Sequence, residues 1–141
     1  MYEPIRTKSV HSTVADGPNP DYPHRSREEE LDIQLAGHLA ALLAVTDELR
    51  ALAPGEDLDT AAERLAGQVA RLRDGHAPAR VPLTAAQDTP HLAALHRRAH
   101  TLAGRALVVA ASRADTAAAI LTAERMDAHA AALEPRELAA H

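Results

Sequence analysis

The chain has 141 residues, 46% of them hydrophobic and 25% charged, with a formal net charge of −5, yet it contains no Phe, Trp or Cys and only two aromatics, Tyr2 and Tyr22. That length suits one domain, and the lack of cysteine excludes disulfides, thiolate metal sites and cysteine nucleophiles together. No apolar run approaches the ~20 residues of a membrane span, and Met1 to Val14 has neither the basic start nor the apolar centre of a signal peptide, so a soluble cytoplasmic protein is expected.

Alanine and leucine supply most of the apolar share, and strand-favouring residues are confined to a few positions such as Val108 and Val109, which predicts an all-α fold. Arginine outnumbers lysine fourteen to one, a bias of the kind that a GC-rich bacterial genome imposes. Single arginines therefore do not count as chosen for their fork geometry.

Residues 1–25 hold Pro4, Pro18, Pro20 and Pro23 without helical periodicity and read as an irregular tail, with room for at most a short strand over 7–14. The tail carries both tyrosines, a residue type enriched at interface hot spots, so Tyr2 and Tyr22 are candidates for docking onto a protein partner or onto the chain's own bundle. Ser26 and Glu29 fit a capping box, and the apolar positions Leu31, Leu35, Leu39, Leu42, Val45, Leu49 and Leu52 recur at helical spacing, which predicts a helix over 27–53 ended by Pro54-Gly55. Asp57 is the next expected cap, and Leu58, Ala62, Leu65, Val69 and Leu72 mark a second helix over 58–74 closed by Gly75. So short a connection implies an antiparallel hairpin.

Pro78 and Pro82 leave 76–88 as a crossover loop, after which Thr89 caps and Pro90 opens the next helix. From there a charge-free stripe of small residues can be followed through Leu92, Leu95, Ala99, Leu102, Ala106 and Val109, and on through Ser112, Thr116, Ala119, Ala123, Met126, Ala130 and Leu133. The double step of three at Val109 and Ser112 overwinds a helix without ending it, so one helix over 90–134 is expected, about 66 Å long, with 135–141 as a C-terminal tail. A break near Ser112, which forms a capping-box pattern with Asp115, is the alternative. The long helix would form a three-helix bundle with the hairpin and leave half of itself uncovered; the broken one would form four helices. Either core is thin because alanine buries little area, so completion by a homodimer is expected.

Charge is uneven. Residues 1–63 carry five basic and thirteen acidic groups (−8), 64–113 eight and two (+6), and 114–141 two and five (−3). Mutual neutralisation between helices is the simple account. The alternative is a nucleic-acid face built from Arg64, Arg71, Arg73, Arg80, Arg97, Arg98 and Arg105, although no lysine-rich arm or stacking aromatic accompanies it.

His96 and His100 lie one turn apart, as a helical metal pair requires, but Arg97 occupies the position where a zincin motif has its glutamate. They are the metal candidates; His91 is one turn further back but rotated, so a third ligand would come from a facing helix, with His38 and His129 flanking the other stripes, and lining the bundle rim is the simpler role. No Glu-x-x-His for a di-iron site, no Gly-x-Ser-x-Gly and no phosphate loop occurs, and a haem pocket without Phe or Trp would be unusual. The sequence thus points to a non-catalytic helical protein without a cofactor, acting through protein contacts and self-association.

Overall fold

In a computed structural model, residues 25–80 and 90–139 are described, with side chains described to Glu134. They form α1 (Arg27–Leu52), α2 (Glu56–Leu72), α3 (Pro90–Arg113) and α4 (Thr116–Ala139), with no strand among the described residues. The tail before Arg25, with Tyr2 and Tyr22, and the cap at Thr89 lie outside the described residues.

The start of α1 is specified locally. Ser26 Oγ accepts from the Glu29 amide at 3.0 Å and Glu29 Oε1 accepts from the Ser26 amide at 2.8 Å, completing the capping box. Leu35, Leu39, Leu42, Val45 and Leu49 of the anticipated stripe are buried, and so are Ala36, Leu43, Thr46 and Asp47 beside them. That widened face has a cause: α1 packs against α2 on one side and α3 on the other. α2 begins at Glu56, two residues before the expected start, and its N-cap is Gly55 rather than Asp57. It ends on the left-handed pair Asp74 (φ 57°) and Gly75 (φ 88°), so Gly75 shares the stop with the residue before it.

The single helix over 90–134 is not formed. Ala114 adopts φ 59°, the Asp115 amide donates to Ala110 O at 2.9 Å and the Ala114 amide to Ala111 O at 3.1 Å, which is a Schellman closure of α3. Asp115 Oδ1 then accepts from the Ala118 amide at 3.2 Å and caps α4. Ser112, the expected breakpoint, stays inside α3 and donates to Val108 O. At the other end α4 continues through Pro135 to Ala139, where the sequence suggests a tail; proline's fixed φ lies in the helical range, although its ring removes a donor from the helix.

The break resets the register. Ala118, Leu121, Thr122, Arg125 and His129 are the buried positions of α4, one residue ahead of the anticipated stripe. Of that stripe, Thr116 and Ala130 are exposed, and Ala119, Ala123, Met126 and Leu133 are half-buried. The buried hydroxyls of Thr46 and Thr122 donate to the carbonyls of Leu42 and Ala118, so neither is left unsatisfied.

Packing runs in the order α2–α1–α3–α4, while α2 and α4 barely touch. Ion pairs bridge that last gap: Arg64 to Glu124 at 2.9 Å, Arg71 to Asp115 at 2.8 Å and Arg125 to Asp57 at 3.1 Å. Arg113 to Asp32 at 3.0 Å ties the end of α3 to the start of α1. The four helices thus make a bundle whose apolar seams lie on three sides and whose fourth side is ionic.

Candidate functional site

The most unusual chemistry lies on the inward face of α4, which reaches α3 on one side and Asp57 of α2 on the other. Arg125 and His129 sit one turn apart on the inward face of α4, 4% and 1% exposed, among alanines and leucines. Arg125 donates through Nη1 to Asp57 Oδ2, while its Nη2 lies 3.5 Å from His129 Nε2 and its buried Nε has no partner among the described residues. On the far side of the ring, His129 Nδ1 is 2.9 Å from Nδ1 of His96 on α3, the two rings tilted by 48°.

These contacts assign the protons. Arginine has donors only, so Nε2 of His129 accepts, which puts the ring proton on Nδ1 and makes His129 donate to His96. Burial, then the Arg125 charge, then His96, pushes the His129 pKa down to about 3, so the ring is neutral at ordinary pH. The chain Asp57–Arg125–His129–His96 is therefore a directed hydrogen-bond series that crosses three helices and is closed to solvent at its centre.

That direction bears on the metal candidates. A histidine ligating through Nδ1 needs a proton on Nε2, and Nε2 of His129 already faces a donor. The His129 lone pair that a metal would need on Nδ1 is occupied by hydrogen. His96 and His100 do not act together either: His96 turns to His129, whereas His100 lines a groove between α3 and α4 with Arg97 and Glu134. Among the described residues, no three His, Cys, Asp or Glu side chains converge in a way that could hold a metal.

The basic-face candidates divide into two sets. Arg64, Arg71 and Arg80 are spent within the bundle, Arg71 also bonding to Gln68, and so is Arg113, which was not among the candidates. Arg73, Arg97, Arg98 and Arg105 are exposed and show no ion pair among the described residues, three of them on α3. Mutual neutralisation accounts for half of the basic middle and leaves a cationic outer side on α3.

A buried acid, Asp47, was not visible as such in the sequence. Asp47 on α1 receives both Nε and Nη2 of Arg80, at 3.0 and 2.8 Å, and Nη1 of Arg50 at 3.0 Å, while Arg50 also holds Asp59. Burial alone pushes its carboxyl up, but the hydrogen bonds from Arg80 and Arg50 and their charges outweigh that and hold it below the usual carboxylate value. Asp47 anchors the start of the α2–α3 connection onto α1.

Arg125 and Asp57 were not anticipated as a site. The available signal was the spacing of four between Arg125 and His129, on one face with Ala118, Leu121 and Thr122. No helix among the described residues is long and apolar enough to cross a membrane. Comparison with known protein families, with characterised proteins and with solved structures finds no match, so these residues are interpreted by their own chemistry.

Proposed function

We infer that this chain is a non-catalytic helical protein of the cytoplasm that acts through protein contacts and self-association, its α1–α2 hairpin and long α3–α4 pair completed by a second copy. The supporting observation is the exposure of three large aliphatic side chains: Ile33, Val108 and Ile120 are 49%, 66% and 52% exposed. The His129 imidazole and the Arg125 guanidinium are buried, which favours a structural part for them over a catalytic one. The tail tyrosines Tyr2 and Tyr22 remain the candidates for a further protein partner.

Sedimentation of the full chain at micromolar concentration tests the reading. A mass above that of the 15.0 kDa monomer is expected, and a strictly monomeric chain overturns it.

One observation favours a second reading. Arg97, Arg98 and Arg105, without ion pairs among the described residues, offer cations that a phosphate backbone would neutralise. Salt-sensitive retardation of random duplex DNA, lost in Arg97→Ala plus Arg98→Ala, would support a nucleic-acid-binding regulator; no binding at low salt removes it.

A further inference from the structure

α4 has two apolar faces. One is the buried face already described. The other is the flanking charge-free series Thr116, Ala119, Ala123, Met126, Ala130 and Leu133, in which Ala119 and Met126 still pack against the core while Thr116 and Ala130 are exposed.

This second face lines a groove along the outside of the α3–α4 pair. One end, about 330 Å³, is lined by Ala111 of α3, by Ala114 and Asp115 of the corner and by Thr116, Ala119, Ile120 and Ala123 of α4. The other end, about 510 Å³, is lined by Arg97, His100 and Thr101 of α3 and by Ala130, Leu133 and Glu134 of α4. The two ends belong to one surface, because Thr101, Val108 and Ala111 repeat along α3, and Ala123 and Ala130 along α4, at helical intervals. Between them Met126 lies over Gly104, its Cε 3.6 Å from where a Cβ would stand. The exposed Val108 falls on the α3 part of this surface and Ile120 on the α4 part.

We propose that this groove is the surface through which two copies of the chain pair, α3 of each lying on α4 of the other. The proposal rests on the self-association argued above and names the surface that carries it.

Charge selects the occupant. The α3 edge carries Arg97, Arg98 and Arg105 and no acid, whereas the α4 edge carries the exposed acids Asp127 and Glu134, and none of these five makes an ion pair among the described residues. Arg97 and Glu134 share one end of the groove without bonding to each other. Contact between identical copies about a two-fold axis requires a self-complementary surface. α3 and α4 run in opposite directions from the corner at Ala114–Asp115, so an axis along the groove sets the basic edge of one copy over the acidic edge of the other, at the level where Arg97 meets Glu134. Small side chains along the middle permit close helix approach. The surface from Arg97 to Ala114 is about 26 Å long. Two helices wide, it offers on the order of 500 Å² from each copy, which reaches the roughly 1,000 Å² total of a specific interface.

Sedimentation equilibrium of the full chain and its variants, with helical circular dichroism as the check on folding, provides the test. Ile120→Asp and Val108→Asp, at exposed positions, are expected to weaken pairing roughly tenfold or more. Arg97→Glu is expected to weaken it as well, and Arg97→Glu combined with Glu134→Arg to restore it, a rescue that survives as a readout even if the aspartate variants fold poorly. A wild-type dimer whose dissociation constant is unmoved by all of these changes would overturn the groove while leaving self-association intact. A wild-type monomer overturns both.

Discussion

His129 donates from Nδ1 to Nδ1 of His96 across 2.9 Å, and the direction of that hydrogen bond is imposed from the opposite side of the ring by Arg125. Two histidines that look like metal ligands are thereby committed to each other. An imidazole held neutral inside the bundle makes stability depend on pH. In the unfolded chain the ring binds a proton below about 6.5, and in the fold only below about 3. Across that window the unfolded state takes up the extra proton, so stability is complete above it and is lost as the pH falls, by at most about 1.4 kcal/mol per unit. Thermal melts between pH 7 and pH 4 are expected to show this decline, and His129→Gln to show a shallower one. A slope equal in both proteins would refute the assignment.

Replacing Arg125 with methionine tests the same series from its charged end. The change removes the guanidinium, the second contributor to the low His129 pKa, and fills its place with apolar volume. Stability near neutral pH is expected to change by less than about 1.5 kcal/mol, because the desolvation cost of the buried guanidinium disappears with it and the exposed Asp57 carboxylate stays hydrated. In histidine-resolved NMR titrations the His129 transition should move upward. An unmoved transition would mean that burial alone sets it.

Asp47→Ala removes the acceptor shared by Arg80 and Arg50. A loss of about 1–3 kcal/mol in urea unfolding is expected, since several charge-assisted hydrogen bonds disappear while both arginines keep access to water. Because the folded carboxyl titrates below its unfolded value, this stabilisation is present above about pH 4 and fades as the pH drops through the lower folded value. The variant and the wild type should therefore converge in stability in acid.

Two backbone substitutions should stabilise. Ala114→Gly relieves a left-handed alanine at the α3–α4 corner, with an expected gain of roughly 1 kcal/mol. Gly104→Ala puts a methyl group at ordinary contact distance from Met126 and improves helix propensity, for about 0.5–1 kcal/mol. Melting temperatures below the wild type for either protein would count against the backbone geometry or packing described at that position.

The Ser26–Glu29 box, the Leu35-to-Leu49 stripe and the start at Pro90 were legible because each is a local pattern with a local cause. The corner at Ala114 was not. Its conformation suits glycine, and the sequence places an alanine there amid other alanines, so no residue type announces the turn. Following positions without charge then led to the second face of α4, because the buried face contains Arg125 and His129. A buried cation is recognisable only once its acceptor, here Asp57 on another helix, is known. The pairing of Asp47 with Arg80 spans 33 residues and was hidden for the same reason.

The strained corner has a consequence for how the chain holds its topology. Ala114 gives up local backbone energy to turn, and continuing as helix would have cost that residue nothing. The fold-back must then be enforced from a distance, by the seam that α4 shares with α3 and by three arginine–carboxylate bridges to α2. Asp115 is the meeting point, since the same carboxylate that caps α4 also grips Arg71. Direction reversal in this protein is decided by the neighbouring helix rather than by the turn.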